Sequence, residues 1–150
     1  SGNITLDAVG TTSVGAVTSS AGTVDLEVTA GTLTTGAVTG AALALKSSGN
    51  LSAGALTSTS TGINAQSTAG SVALASARAN KCLVANANTS LAVTTYTVND
   101  GAATLTAGTT FTGTSGTASG NITLDAVGNT SVGAVTSSAG TVDLEVTAAP

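Results

Sequence analysis

The sequence predicts an all-β chain wound as a single-stranded parallel β-helix, a β-solenoid of about 20 residues per coil and about seven to eight coils across residues 1–150. Three observations carry that prediction. The segment SGNITLDAVGTTSVGAVTSSAGTVDLEVTA, Ser1 to Ala30, returns 118 residues later from Ser119 to Ala148 with one change, Thr11 to Asn129. Paired apolar positions recur every 19 or 20 residues between the two copies. Glycines stand at repeated intervals between short stretches rich in Val, Leu, Thr and Ala.

The first strand of each coil is read from the paired positions. They run Ile4/Leu6, Val24/Leu26, Leu43/Leu45, Ile63/Ala65, Leu83/Ala85, Ala103/Leu105, Ile122/Leu124 and Val142/Leu144. Alternation over each pair is the signature of a strand with one buried face. Helical repeats are longer and show a 3.6-residue period, which is missing here. Stacked coils spaced about 4.8 Å apart make a rod roughly 36 Å long.

The second part of each coil carries a glycine, four residues, then glycine and a short strand. It is written GTTSVGAVT at Gly10, GTLTTGAVT at Gly31, GNLSAGALT at Gly49, GTTFTGT at Gly108 and GNTSVGAVT at Gly128. Glycine suits corners because it reaches positive φ without steric cost. The fourth coil has Ala75 in place of the second glycine. The fifth lacks the motif, with Asn88 near the corner and Asn99-Asp100-Gly101 as a turn. Asn88 is expected to take the left-handed conformation there, and this coil is expected to bulge.

Composition sets the width of the core. Apolar residues make up 41% of the chain, yet Phe111 and Tyr96 are the only aromatics, and Trp, Met and His are absent. Ala, Val, Leu and Ile must therefore fill a narrow interior of thin layers. One proline and 7% charged residues argue against a disordered linker. The net charge of −4, with Lys46, Arg78 and Lys81 the only cations, excludes the clustered basic surface that nucleic acid requires. No apolar run approaches the roughly 18 residues of a membrane-spanning helix. With no initiating Met and a first residue already inside the repeat, the chain reads as a mature fragment whose targeting signal lies elsewhere.

The residue after the second paired position forms an outward ladder: Asp7, Glu27, Lys46, Gln66, Asn86, Thr106, Asp125, Glu145. Asp7 beside Glu27 is repulsive, while Lys46 offers Glu27 a partner. The ladder reads as a solvated face, and the GGxGxD nonapeptides of calcium-binding solenoids are absent. Cys82 has no second cysteine and, lying in an apolar run, is expected to pack inside.

Residue chemistry points away from catalysis. Without His, neither a Ser-His-Asp nor a Cys-His arrangement is possible. G-x-S-x-G, G-x-G-x-x-G and P-loop motifs are missing. Asp25 and Glu27 share one strand face in the open, without the pocket that a raised-pKa acid needs. No catalytic, cofactor-binding or metal residue is assigned, and no cofactor is expected. The sequons at Asn3, Asn50, Asn88, Asn121 and Asn129 are expected by chance in a chain this rich in Ser and Thr. T-x-T triplets begin at Thr32, Thr95, Thr104 and Thr110 but fall at different points of the coil. Thr18, Thr39, Thr57 and Thr136 form one column that breaks at Arg78, too little for an ice-binding plane.

The text from Gly15 to Ser58, GAVTSSAGTVDLEVTAGTLTTGAVTGAALALKSSGNLSAGALTS, resembles the repeats of filamentous-haemagglutinin-like bacterial exoproteins of two-partner secretion. The resemblance is one of rhythm and composition, covers nearly the whole chain, and is weakest from Asn80 to Asp100. It implies a right-handed coil and a fibrous shaft displayed or shed at the cell surface, acting in adhesion or biofilm cohesion. It carries no functional residue over. Expected partners are other copies of the chain and host or matrix glycans and proteins. A self-assembling filament is the alternative, because an open solenoid end exposes unpaired strand edges, which Ala149-Pro150 would interrupt. Less favoured are an ice-binding solenoid and a polysaccharide-active β-helix enzyme.

Overall fold

The computed structural model of the chain describes residues 2–148. The first coil carries β1 (Ile4–Ala8), β2 (Thr12–Val14) and β3 (Val17–Thr18). The second carries β4 (Val24–Val28), β5 (Leu33–Thr35) and β6 (Val38–Gly40). From the third coil the last two segments fuse, giving β7 (Leu43–Ser47) and β8 (Leu51–Ser58), then β9 (Gly62–Ser67) and β10 (Val72–Ala79). There follow β11 (Cys82–Ala87), β12 (Leu91–Val98), β13 (Ala103–Ala107) and β14 (Phe111–Ala118). The last are β15 (Ile122–Val127), β16 (Thr130–Ser137) and β17 (Val142–Thr147).

Each strand pairs in parallel with its counterpart one coil away, as in Ile4↔Val24, Val24↔Leu43 and Leu83↔Ala103. One sheet runs β1-β4-β7-β9-β11-β13-β15-β17. The other runs β2-β5-β8-β10-β12-β14-β16, with β3 and β6 joining it beside β8. The β-solenoid and its coil of about 20 residues are thus as the sequence predicts, and the alternating positions stack in the predicted register.

The second sheet bends along the line that the second glycine of the motif marks in the sequence. In β12 both Thr94 and Thr95 face outward between buried Val93 and Tyr96. Two successive outward residues are incompatible with a flat strand, whose side chains alternate. The bend recurs at Gly54, Ala75, Thr114 and Gly133, positions skipped in the pairing of β8, β10, β14 and β16. Each coil therefore has three short faces.

The core is a set of columns one side chain wide: Val24, Leu43, Ile63, Leu83, Ala103 and Ile122 form one, all at most 2% exposed. Burial of each larger aliphatic side chain contributes about 1.5–3 kcal/mol. Both aromatics also lie inside, which the expectation of an aliphatic interior did not include. Tyr96 sits between Ala77 and Gly116 of the neighbouring coils. Phe111 lies over Gly113, where a Cβ would come within 2.8 Å of its Cε1. Each ring fits the narrow core because a glycine beside it gives up a side chain, Gly116 of the next coil for Tyr96 and Gly113 of the same strand for Phe111.

The fifth coil does not bulge. β12 keeps an unbroken register with β10 and β14 apart from the shared bend at Thr94. Asn88 does not adopt positive φ either, since among the described residues only Gly10, Gly31, Gly101 and Gly128 do. At the other corners the glycine is required by close approach. A Cβ on Gly49 would meet the Gly31 carbonyl oxygen at 2.8 Å, and one on Gly108 would collide with the carbonyl of Asn88. The segment GTTFTGT is also one residue out of phase. Val93 pairs with Gly113, so Gly113 points inward beside Phe111 while Thr114 takes the bend.

Inward serines close the corners. Ser67 Oγ donates to Gly49 O at 2.6 Å and accepts from Gly70 N at 2.9 Å. Ser19 does the same with Gly2 O and Gly22 N, and Ser137 with Gly120 O and Gly140 N. The S-x-x-G spacing in SSAG and STAG places the hydroxyl three residues before the amide it accepts from.

At the ends the columns are open. Ile4, Leu6, Ala8, Val14 and Val17 are only partly buried, and Val142, Leu144 and Val146 are 42%, 48% and 50% exposed. No described strand pairs with the far edge of β1 or of β17. Ala149-Pro150, expected to interrupt pairing, lies outside the described residues.

Candidate functional site

Among the described residues no group of chemistry-bearing side chains is enclosed, and the candidate functional surfaces are the outer columns. The outward ladder is in register along the whole rod: Asp7↔Glu27, Glu27↔Lys46, Lys46↔Gln66 and onward to Asp125↔Glu145. Lys46 Nζ lies 2.9 Å from Glu27 Oε1. The hydrogen bond and charge of Glu27 hold the Lys46 ammonium above its ordinary pKa. Asp25 and Glu27 line a small, half-open hollow of about 90 Å³ with Lys46, Asn64 and Gln66, in which Lys46 pairs with Glu27.

A second ion pair joins Lys81 Nζ to Asp100 Oδ2 at 2.6 Å, one coil apart at the other corner. Lys81 holds the Asp100 carboxyl below the usual carboxylate range through that hydrogen bond and its charge. The sequence reading missed this pair because it lies outside the strands. Its signal was the 19-residue spacing of opposite charges.

Threonines stack on the facet beyond the bend. Thr18, Thr39, Thr57, Arg78, Thr97, Thr117 and Thr136 occupy one column. The expected column therefore gains Thr97 and Thr117 and is interrupted at Arg78 alone. The column beside it holds only Ala, Ser and Thr, as in Ala55, Ser76, Thr95 and Ser115, so the facet is flat apart from Arg78. The T-x-T triplets fall at three points of the coil, with those around Leu33 and Phe111 equivalent but separated by three coils.

Cys82 is exposed, which corrects the expectation of a packed thiol. Leu83 and Ala85 take the inward positions of β11, so alternation turns Cys82 outward, with Sγ resting on Gly62. Three of the sequon asparagines have a structural task. Asn3 Oδ1 accepts from Thr23 N, Asn50 Oδ1 from Ser71 N and Asn121 Oδ1 from Thr141 N, at 3.0, 3.0 and 3.1 Å. Each ties the entry of a strand to the next coil.

Among the described residues no group of three or more His, Cys, Asp or Glu side chains gathers as a metal site. None of them forms a helix long and apolar enough to cross a membrane. These features define the class as a tandem-repeat β-solenoid with small, mostly uncharged outer columns. No protein-family model, curated protein or solved structure matches the chain.

Proposed function

We propose that this chain is a structural and adhesive shaft segment of a large secreted bacterial surface protein, a stiff rod acting in adhesion or biofilm cohesion. The observation that carries the reading is the continuity of both parallel sheets from β1 to β17 and from β2 to β16. A rod held by unbroken hydrogen-bonded columns resists bending, and each coil contacts only its neighbours, so length can grow without a wider core. The resemblance of Gly15–Ser58 to filamentous-haemagglutinin-like repeats supports an extracellular setting. The flat Thr, Ser and Ala facet would meet host or matrix glycans and proteins through many small contacts.

Display of the chain on a non-adherent bacterium tests this reading. Increased cell–cell cohesion or retention on immobilised matrix under shear is expected. Cells that wash off like those lacking the chain would defeat it.

The near-identity of Ser1–Ala30 and Ser119–Ala148 favours a second reading, in which solenoids associate end to end as filament subunits. Electron microscopy at high concentration separates the two, since isolated short rods belong to the shaft and long fibres to the filament.

A further inference from the structure

Charge is divided unevenly between the two sheets. Six of the seven acids, Asp7, Asp25, Glu27, Asp125, Asp143 and Glu145, lie on strands of the first sheet. The seventh, Asp100, stands at a corner and is held by Lys81. No strand of the second sheet carries an acid, and Arg78 of β10 is its single charged residue. Arg78 is exposed, and both ion pairs among the described residues are made by lysines. Its guanidinium therefore faces solvent without a carboxylate, on a facet of small uncharged side chains.

A trough runs along the side of the rod from that residue. Thr97, Thr117 and Thr136 form one wall, and Asn99, Ser119 and Ser138, two places further along each coil, form the other. They border a shallow, open hollow of about 290 Å³. Arg78 pairs with Thr97, Thr97 with Thr117 and Thr117 with Thr136, so the cation stands in line with the Thr wall, one coil beyond the hollow. The hydroxyl oxygens of Thr97 and Thr117 lie 3.5 Å apart. Ser119 Oγ accepts from Gly101 N at 2.7 Å, and its own O–H has no acceptor among the described residues.

We propose that this trough binds an extended acidic polysaccharide, with a uronate carboxylate on the Arg78 guanidinium and sugar hydroxyls on the Thr, Ser and Asn side chains. Such a ligand would be the partner in the adhesive reading above, on which this inference rests. The planar fork of an arginine matches a carboxylate through two parallel hydrogen bonds. Hydroxyls and an amide both donate and accept, as each sugar hydroxyl does. Coils rise by about 4.8 Å, close to the length of one unit in an extended β-linked polysaccharide, so successive sugars meet equivalent side chains. An extended peptide advances about 3.3 Å per residue and falls out of step with the coils. A polyphosphate chain needs clustered cations, and Arg78 stands alone on its sheet.

The test titrates the full chain with a short β-linked oligomannuronate and follows backbone amide shifts by NMR. Shifts are expected at Arg78, Thr97, Thr117 and Ser119, and not at Thr39, where Ala41 takes the place of the second wall. Arg78→Gln should weaken binding about tenfold or more. Thr117→Val keeps a β-branched side chain and should weaken it less, by about two- to tenfold. Should Thr117→Val lose the strand signal in circular dichroism, Thr117→Ala takes its place. The carboxyl-reduced oligosaccharide should bind the unaltered chain no better than the acid form binds Arg78→Gln. No shifts with the acid form, or equal binding by Arg78→Gln or by the reduced form, would overturn the proposal. Tighter binding of dextran sulfate or oligoglutamate would also overturn it, in favour of sulfate or an acidic peptide. If the chain fails to bind oligomannuronate while its display still holds cells to matrix, this site falls and the adhesive reading stands. If it binds while displayed cells wash off, the adhesive reading falls and the site stands.

Discussion

The ring of Tyr96 occupies the space that a side chain on Gly116 would need. The two residues are partners in adjacent coils, and a Cβ on Gly116 would fall within the ring at Tyr96 Cζ. A core one side chain wide has no other direction in which to accommodate a large ring. The residue directly above must shrink.

Gly116→Val should therefore destabilise the protein by about 1–3 kcal/mol through overpacking. Tyr96→Ala alone should cost about 3–5 kcal/mol through the cavity it leaves. The double variant should lose clearly less than the sum of the two, because valine fills part of that cavity. Urea unfolding of the four proteins measures the coupling, and simple additivity would show that the two side chains do not share one space.

Tyr96→Phe should raise stability by about 1–3 kcal/mol. The hydroxyl is buried without a hydrogen-bond partner in the structure, and phenylalanine removes that penalty while keeping the ring. Equal or lower stability in denaturant melts would show that the hydroxyl is satisfied in solution.

Burial also pushes the phenol of Tyr96 above its ordinary pKa. Above about pH 10 the unfolded chain releases this proton before the folded one does, so the unfolded state binds fewer protons and stability falls as pH rises. Below that range both states hold the proton and the group contributes no pH dependence. Lys46 and Lys81, also raised, lose stability in the same direction. The difference between the unaltered chain and Tyr96→Phe isolates the tyrosine, and parallel stability curves between pH 9 and 11 (roughly one unit either side of the free phenol) would contradict the assignment.

Ser67→Ala should cost about 1–3 kcal/mol, because it strips the Gly49 carbonyl and the Gly70 amide of their shared hydroxyl. Ser52→Ala, on the outer face, should change stability by less than about 0.5 kcal/mol. Thermal melts of both variants make the comparison, and equal effects would remove the corner role of Ser67.

Cys82 should react with a small thiol reagent in the folded protein, at a rate insensitive to low denaturant, because its side chain is exposed. Labelling that appears only with global unfolding would place the thiol inside. Labelling should leave the strand signal unchanged.

The ladder columns were legible from residue spacing alone. Ile4, Val24 and Leu43 share a period and a chemical type, and parallel pairing turns a shared period into contact. Lys46 opposite Glu27 followed from the same count. The sequence reading went astray where neighbouring layers, not spacing, decide the outcome. Gly113 matches the glycine motif in text, yet the bulk of Phe111 sets it inward and one residue out of phase. Cys82 sits in an apolar run, yet Leu83 and Ala85 claim the inward positions. The bend at Thr94 and Thr114 carries no glycine and so left no mark in the text.

One-dimensional periodicity thus determined the solenoid, its coil length and which residues share a column, because a repeat stacks on itself at a constant rise. Three-dimensional packing decided how two rings fit, which way Cys82 points and why Gly113 stands one residue out of phase. Those outcomes depend on which side chains fill the inward places around a residue, as Gly116 of the next coil makes room for Tyr96 and Gly113 of the same strand for Phe111.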